Sequence, residues 1–517
     1  MIIKIYEKEG VKIKKIKLKY SKHNLMMFAM VLFGLGIIFS FGVDNVSAAS
    51  PIYVSTHGNN SWNGQNSTWI NGTLNGPKAT IKNATGTVTS GGTVYIAKGT
   101  YNENNININK NMTIIGAGQD NTIINGTNKG PIFIFPYGYG EKVTIENLTL
   151  TNGSTGYIGG GAIDNFGGNL TVKDCTFSDN TATGDDGLGG AINNGAILNV
   201  TDSTFKGNTA TYGGAIANIQ GTLTVIGSTF TDNTVSSSTG AGGAGAIGNE
   251  ASLDVIDSIF TDNSANLVGG AIRNDGTGTV TGSTFKGNTA TGNDDGGGAI
   301  ENDGTLTVKG SNFTGNTAPN GYGGGIYNYG GTLTVKGSTL TGNTAIYGGA
   351  IANNVNNATV HFNQIVDNTA SQGSAIYNNY GGKVNASLNW WGCNVGANVA
   401  KQIYTGNGTV TYGPWIILTI TATPGSVYVN GTSTITADLL HDNNGVYENP
   451  ANGVVPYTGY ADFKTTKGTI TNVKFVNGKA TSTLKDLTTA GVATVTATVD
   501  GKIVTTKVTT LVRSVNL

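Results

Sequence analysis

Apolar and polar positions follow one pattern that repeats nine times between residues 163 and 378. Each unit has a Gly-Gly-Ala-Ile-like cluster with an Asn two residues after its Ile. A Phe-x-x-Asn mark follows the first eight Ile after 13 or 14 residues. The Ile residues are Ile163, Ile192, Ile216, Ile247, Ile272, Ile300, Ile326, Ile351 and Ile376, and the marks begin at Phe177, Phe205, Phe230, Phe260, Phe285, Phe313, Leu340 and Ile365. This period of 24 to 31 residues predicts stacked supersecondary units.

The unit that starts at Tyr212 reads YGGAIANIQGTLTVIGSTFTDNTV. Its runs at 215–219, 222–226 and 228–231 are rich in Thr, Val, Ile and Phe, which favour strands, while Gly and Asn punctuate the turns. Alternation of apolar and polar residues within a run has the period of a half-buried strand. We therefore predict an all-β chain in which coils of three short strands stack in parallel as a β-helix.

The Asn that follows each repeat Ile is expected to have a structural role. In a stack of coils, its side chain can bond the backbone of its own turn and the amide of the Asn above it. Such ladders satisfy polar groups that would cost about 1–3 kcal/mol each if buried without a partner. The predicted ladder residues are Asn165, Asn194, Asn218, Asn249, Asn274, Asn302, Asn328, Asn353 and Asn378.

Apart from a one-residue difference elsewhere, the variation in unit length falls between the Phe-x-x-Asn mark and the next Ile, which is one corner of the coil. The insertions there span 183–188, 236–245, 292–298 and 319–323. Variation on one edge of a solenoid is typical of a binding face. Tyr212, Tyr322 and Tyr347 lie four residues before an Ile, the last two on adjacent coils. They predict either an aromatic platform for sugars or proteins, or a column of rings that packs a corner.

Composition and charge exclude several functions. The net charge is zero and the only Arg residues are Arg273 and Arg513, so a nucleic-acid footprint of clustered basic residues is missing. The four His are scattered without metal-ligand spacing, and we expect no cofactor. Cys175 and Cys393 are separated by about eight coils, or about 38 Å at the usual strand spacing, so we expect both to be unpaired.

Two acidic pairs, Asp185 with Asp186 and Asp294 with Asp295, are weak metal candidates. Two carboxylates supply too few of the roughly six to eight oxygens that Ca²⁺ takes. The pairs lie about four coils, or about 19 Å, apart, which is too far for the two carboxylates of a glycoside hydrolase. Arg273 occupies an ordinary strand position, so we expect no catalytic residue.

Residues 1–49 have the composition of a secretory signal. Eight Lys precede the apolar run 25–42, and Val46-Ser47-Ala48 offers small residues for cleavage after Ala48. The alternative is an uncleaved N-terminal anchor, because a run of about 18 residues is near the lower limit for spanning a bilayer. We predict a secreted or cell-surface protein that meets the membrane only through this segment, if it is retained.

Two further regions follow the leader. The solenoid is predicted over 50–414, with Asn389-Trp390-Trp391-Gly392 ending the stack and the two Trp covering the last coil. From 415 to 517 the repeat stops and runs alternate as antiparallel strands do. Asp500-Gly501 is a hairpin signal there, and the strand spacing suggests a β-sandwich.

The paired Gly-Gly-Ala-Ile and Phe-x-x-Asn marks resemble the repeats of polymorphic outer membrane proteins. The whole layout is similar to adhesin-like surface proteins of methanogenic archaea, which implies a right-handed parallel β-helix of the pectin-lyase type. The tail resembles an invasin/intimin-type bacterial Ig-like domain, a rigid spacer in that family. The matching stretches are 430–437, 468–470, 477–481 and 490–497.

We therefore predict a non-catalytic, adhesin-like surface protein with a β-helix rod and an Ig-like spacer. Its expected partners are glycans or proteins of another cell or of its own envelope. The alternative is a polysaccharide-degrading lyase or hydrolase of the pectin-lyase-like fold, although fold alone does not imply activity. Sequons such as Asn71-Gly72-Thr73 permit glycosylation.

Overall fold

The structure, a computed structural model, describes residues 50–138, 140–184, 187–236, 242–293 and 296–513. The predicted leader over 1–49 lies outside these residues. From Ile52 to Thr411 the chain winds into coils whose strands pair in parallel with those of the neighbouring coils. The predicted all-β class with a parallel β-helix is confirmed.

The coils form four long sheets, named here sheets 1 to 4. Sheet 1 has 14 strands: Ile52–Val54, Gly92–Ile96, Met112–Gly116, Lys142–Glu146, Asn169–Lys173, Ile197–Thr201, Thr222–Ile226, Ser252–Ile256, Thr277–Thr281, Thr305–Lys309, Thr332–Lys336, Asn357–His361, Lys383–Asn385 and Thr409–Thr411. Sheet 2 has 11: Gly99–Asn102, Thr122–Asn125, Thr149–Thr151, Thr176–Ser178, Thr204–Lys206, Thr229–Thr231, Ile259–Thr261, Thr284–Lys286, Asn312–Thr314, Thr339–Thr341 and Gln364–Val366.

The other two long sheets complete each coil. Sheet 3 has nine strands: Ser154–Thr155, Thr181–Ala182, Thr209–Ala210, Thr234–Val235, Ser264–Ala265, Thr289–Ala290, Thr317–Tyr322, Thr344–Tyr347 and Thr369–Gln372. Sheet 4 has 12: Ile106–Asn107, Phe133–Phe135, Ile163–Asn165, Ile192–Asn194, Ile216–Asn218, Ile247–Asn249, Ile272–Asn274, Ile300–Asn302, Ile326–Asn328, Ile351–Asn353, Ile376–Asn378 and Ile403–Thr405. A two-stranded sheet pairs Gly159–Gly160 with Gly187–Gly189.

A regular coil therefore has four short strands, so the prediction of three is wrong. The missed strand is the pair in sheet 3 that follows each Phe-x-x-Asn mark, such as Thr234–Val235. Two residues are too few to show the alternation by which a strand is recognised in a sequence.

The repeat Ile and Phe residues fill the interior of the solenoid. The phenylalanines from Phe177 to Phe313 stack from coil to coil with ring centroids 4.7–4.8 Å apart. Ile216, Ile247 and Ile272 stand directly above one another in sheet 4 and are fully buried. The spacing of the rings is the spacing of the strands, which is why one residue type recurs at each interior position.

The nine repeat Asn form one continuous hydrogen-bonded ladder. Each Nδ2, from Asn165 to Asn353, donates to the Oδ1 of the Asn on the next coil at 2.7–2.8 Å. The Asn of the Phe-x-x-Asn mark forms a second ladder. In it, Asn208 Nδ2 donates to Asn233 Oδ1 at 2.9 Å and to the backbone oxygen of Phe177 at 3.0 Å. These bonds satisfy the buried amides along the axis.

Each end of the solenoid has a helix that the sequence pattern did not indicate. Helix α1, Ile81–Thr87, buries Ile81 and Ala84 at the N-terminal end. Helix α2, Gly396–Ala400, follows the two Trp and buries Val399. Two strands of sheets 4 and 1 come after α2, so the prediction that the stack ends at residues 389–392 is wrong. Cys175 and Cys393 are both unpaired.

The C-terminal region forms two sheets around one core. A three-stranded antiparallel sheet has the order Ile416–Thr423, Ser433–Asp442, Lys479–Leu484. A five-stranded sheet has the order Ser426–Tyr428, Lys502–Leu511, Gly491–Val499, Tyr460–Thr465, Val473–Lys474. Asp500 and Gly501 form the predicted hairpin turn, with φ of 45° and 72°. The Ig-like assignment of this C-terminal domain stays a prediction.

Candidate functional site on the outward face of sheet 4

Sheet 4 has an outward face that is largely covered by the variable corner of the coil. The first residue of each regular strand points into the core, and the middle residue therefore points outward. The outward column consists of Asp164, Asn193, Ala217, Gly248, Arg273, Glu301, Tyr327, Ala352, Tyr377 and Tyr404. Most of these residues are buried, because the segments that precede the repeat Ile fold over them.

Tyrosines occupy the C-terminal part of this face. The ring centroids of Tyr322 and Tyr347 lie 4.8 Å apart, those of Tyr347 and Tyr377 5.1 Å apart, and those of Tyr377 and Tyr404 4.9 Å apart. Tyr327 stacks beside Tyr322 at 5.2 Å. We call these five residues the tyrosine ladder. Two of the predicted binding residues, Tyr322 and Tyr347, thus lie together in it.

Within the ladder Tyr327 and Tyr377 are buried, and Tyr322, Tyr347 and Tyr404 pack against them partly buried. Burial, together with a hydrogen bond to Tyr380, raises the pKa of Tyr322. Burial also raises the pKa of Tyr377, whose hydroxyl oxygen accepts a hydrogen bond from Asn379 Nδ2 at 3.1 Å. With their pKa values raised, the phenols of Tyr322 and Tyr377 stay protonated at neutral pH and can act as hydrogen-bond donors and acceptors.

Tyr212, the third predicted binding residue, lies apart from the ladder. It is separated from Tyr322 by about four coils, or about 19 Å. Its ring crosses Gly248, where any side chain would collide with it, and its hydroxyl donates to Asp275 Oδ2 at 3.1 Å. Burial raises the pKa of Tyr212. The three tyrosines therefore do not form one site.

Arg273 lies at the centre of a charged cluster beside Tyr212. Its Nε donates to Asp275 Oδ1 at 2.9 Å and lies 3.7 Å from Glu301 Oε2. Its Nη1 donates to the backbone oxygen of Gly242. The guanidinium is engaged by these partners.

Asp164 lies near the N-terminal end of the outward column. Its Oδ1 accepts hydrogen bonds from the backbone N–H of Gly160 at 3.0 Å and from Asn193 Nδ2 at 3.1 Å. Burial raises its pKa to about 6, against the lowering effect of these two bonds.

The predicted metal candidates Asp185, Asp186, Asp294 and Asp295 lie outside the described residues. Within the described ranges, no cluster of three or more His, Cys, Asp and Glu has the arrangement of a metal site. The same ranges contain no helix of the length and apolarity that crossing a bilayer requires.

Sequence reasoning missed most of the tyrosine ladder, although the signal was present. Tyr327 and Tyr377 directly follow a repeat Ile, and Tyr404 directly follows Ile403 in the last strand of sheet 4. A residue directly after the Ile points outward on sheet 4, so tyrosines at this position stand above one another. The predicted tyrosines, four residues before the Ile, reach the same face from the covering segment.

These features define a parallel β-helix protein with a C-terminal β-domain. The repeat of the Chlamydia polymorphic membrane protein matches the chain at residues 174–199 and 202–219. The predicted resemblance to such repeats is confirmed for these two segments. Comparison with curated proteins gives no match.

Three solved structures are similar at low identity. XylC with xylose is 9% identical with a TM-score of 0.34, over 83% of this chain and 95% of that chain. A mannuronic-acid-specific family 6 polysaccharide lyase from human gut microbiota is 9% identical with a TM-score of 0.28, over 63% and 86%. Pectin methylesterase PemA from Erwinia chrysanthemi is 11% identical with a TM-score of 0.17, over 80% and 88%. Similarity at this level supports no statement about a site or an activity.

Proposed function

We propose that the protein is a secreted or cell-surface adhesin-like protein that binds its partner through the tyrosine ladder and carries out no catalysis. The observation that carries this proposal is the row of stacked tyrosines on a solenoid face. The matching repeat, described as that of a membrane protein family, favours a surface location. Partners would be glycans or proteins of another cell or of the envelope of the same cell.

The tyrosine ladder has the chemistry of an adhesive surface. Tyr329 and Tyr380, at the rim of the ladder, are 49% and 58% exposed. Rings packed against one another lose little conformational freedom when a ligand binds, so their contact area contributes efficiently to affinity. The hydroxyl groups add hydrogen bonds that suit the hydroxyl-rich surface of a glycan.

A glycan array tests the ladder directly. We expect the full-length protein to bind a subset of glycans, and the double variant Tyr322→Ala with Tyr347→Ala to lose that binding. Tyr322→Phe with Tyr347→Phe separates the contribution of the hydroxyl groups from that of the rings. Tyr428→Ala removes a half-exposed tyrosine of the C-terminal domain and is the matched control. Unchanged binding by the double Ala variant would remove the ladder from the proposal.

The charged cluster on the same face favours a second candidate, a polysaccharide-degrading lyase or hydrolase. Arg273, Asp275 and Glu301 bring a cation and two carboxylates together. Against catalysis, the guanidinium donates hydrogen bonds to Asp275 and to the Gly242 backbone oxygen and forms an ion pair with Glu301, so it is not free to act as a base. An assay for reducing sugars or unsaturated uronides on pectin and related polymers separates the two functions. Turnover that Arg273→Lys abolishes would favour the enzyme.

The proposed location is tested by cell fractionation. The surface proposal expects the protein in the envelope or the medium, with mass spectrometry identifying an N-terminus at Ala49 if the leader is cut after Ala48. A retained leader in an envelope fraction would indicate the anchor instead. Recovery only from the cell interior would contradict a surface function.

A further inference from the structure

A loop before the first complete coil presents two stacked tryptophans. The ring centroids of Trp62 and Trp69 lie 5.7 Å apart, and their planes differ by 6°. Trp62 also lies against Gly76, where any side chain would collide with its ring. Trp69, in contrast, is 48% exposed. Because one face of Trp69 covers Trp62, its exposed surface is the opposite face and the ring edge.

The loop fixes the orientation of the exposed ring. Trp69 Nε1 donates to the backbone oxygen of Thr73 at 3.0 Å, and Thr73 Oγ1 donates to the backbone oxygen of Ile70 at 2.8 Å. The backbone N–H of Tyr53, in the first strand of sheet 1, donates to the oxygen of Gly64 at 2.7 Å. A ring already held in place loses little entropy when a ligand stacks on it.

The loop that carries Trp69 has no charged side chain, and Lys78, which follows it, is buried with its Nζ donating to the backbone oxygen of Asn60 at 3.1 Å. Residues 50–77 contain no Asp, Glu, Lys or Arg. Their polar side chains are mainly hydroxyls and amides, the amides being Asn59, Asn60, Asn63, Gln65, Asn66, Asn71 and Asn75. Residues 50–77 therefore offer no Lys or Arg that could pair with an anionic polymer. A neutral sugar pairs its C–H face with an indole and its hydroxyl groups with amides, which matches what the loop offers.

We propose that Trp69 is the stacking platform of a neutral-saccharide site at the N-terminal end of the solenoid. The site goes beyond the proposed function and does not depend on it. About ten coils, or about 48 Å, separate the loop from the tyrosine ladder, so the two sites share no residue. Ile70 and Leu74 are also exposed, at 46% and 67%, which makes a lipid surface the competing occupant that a test must separate.

Intrinsic fluorescence reports on this site. The chain has five Trp, all within the described residues: Trp390 and Trp391 are buried, Trp62 and Trp415 are partly buried, and Trp69 is 48% exposed. The full-length protein is produced without N-glycosylation, so that Asn71 carries no glycan. It is titrated with cellohexaose, xylohexaose, mannohexaose and a galactohexaose. We expect a saturable blue shift with at least one of them.

Two variants assign the signal to the ring. Trp69→Ala should abolish both the blue shift and the heat of binding in calorimetry, with unchanged circular dichroism because the ring lies outside the core. Trp69→Phe keeps a smaller aromatic face and should bind about tenfold more weakly, which corresponds to about 1.4 kcal/mol. Binding that survives in Trp69→Ala would overturn the proposal.

Two further arms separate the alternatives. Tyr428→Ala removes a half-exposed tyrosine outside both sites and should bind the same hexasaccharide with wild-type affinity, and an equal loss there would overturn the assignment to Trp69. Phosphatidylcholine vesicles test the lipid surface. A blue shift with vesicles and with none of the four hexasaccharides would overturn the saccharide site, and so would the absence of any response to all four sugars.

Discussion

Trp390 and Trp391 are neighbours in the chain, but their side chains belong to two different hydrophobic cores. Trp391 packs in the core of the solenoid, and Trp390 is fully buried in the core of the C-terminal domain together with Val366 of sheet 2. The indole Nε1 of Trp390 donates to Asp500 Oδ2 at 2.7 Å. Successive side chains in extended backbone point to opposite sides, so this one dipeptide joins the core of the solenoid to the core of the C-terminal domain.

The first prediction concerns this junction. Asp500 Oδ2 also accepts from Gln364 Nε2 at 2.8 Å, so Asp500→Ala leaves two donors without their partner. We expect it to lower the free energy of unfolding of the C-terminal domain by about 2–4 kcal/mol. Asp500→Asn keeps an acceptor and tolerates the positive φ of the turn, so it is the matched control. Urea unfolding measures both, and an Ala variant as stable as wild type would contradict the role of this contact.

The second prediction tests the first Asn ladder. Asn274 accepts from Asn249 Nδ2 and donates to Asn302 Oδ1, both at 2.8 Å. Asn274→Ala breaks both bonds inside the solenoid and should cost about 1–3 kcal/mol in urea unfolding followed by circular dichroism. Asn312→Ala removes an exposed Asn and should change the unfolding free energy by less than about 0.5 kcal/mol. Equal effects of the two substitutions would argue against the ladder.

The third prediction tests the column of phenylalanines. Phe260 stacks on Phe230 at 4.7 Å and on Phe285 at 4.8 Å. Phe260→Ala should cost about 3–5 kcal/mol because it leaves a cavity in a closed core. Phe260→Leu should cost less than about 1.5 kcal/mol, since the same column accepts Leu340 in a later coil. Thermal or urea unfolding ranks the two variants, and the reverse order would contradict this packing.

The fourth prediction is a pH dependence from Asp164. Its pKa is raised from 3.8 to about 6 in the folded protein. Well below pH 4 the carboxyl is protonated in both the folded and the unfolded protein. Between about pH 4 and pH 6 the unfolded protein releases this proton while the folded protein keeps it, so the free energy of unfolding falls as the pH rises, by on the order of 3 kcal/mol in total. Above about pH 6 the free energy of unfolding falls no further from this group.

Asp164→Asn cannot ionise and should abolish this part of the pH dependence. The free energy of unfolding at pH 4.5 and pH 7.5 measures the effect, with Asp254→Asn, an exposed Asp of sheet 1, as the control. We expect the Asn variant to gain stability mainly at pH 7.5. An identical pH profile for wild type and Asp164→Asn would show that Asp164 is not the titrating group.

The sequence predicts the structure well within the repeat and poorly outside it. Ile216 and Asn218 recur at a fixed separation, and the structure places each directly below its counterpart, Ile247 or Asn249. The helix Ile81–Thr87 and the strands after Trp391 lie where the repeat is atypical, and the pattern failed there. Terminal units must cover an end rather than pair with two neighbours, so their sequences diverge.

The candidate site was predictable only in part. The variable corner and the pair Tyr322 and Tyr347 follow from the spacing of the units. The spacing does not predict that Tyr212 turns toward Asp275, because the corner segments differ in length and no repeat specifies their path. The same holds for the exposure of Trp69, which depends on how its loop folds over Trp62.

The sequence by itself determined the parallel coil and the Asn ladder after the repeat Ile, because a regular period brings identical residues to the same place in every coil. Only the tertiary structure decided which tyrosines meet on the outward face of sheet 4, and into which core each of the paired tryptophans points. Those contacts join segments of unequal length or different domains, and their geometry is set by packing rather than by periodicity.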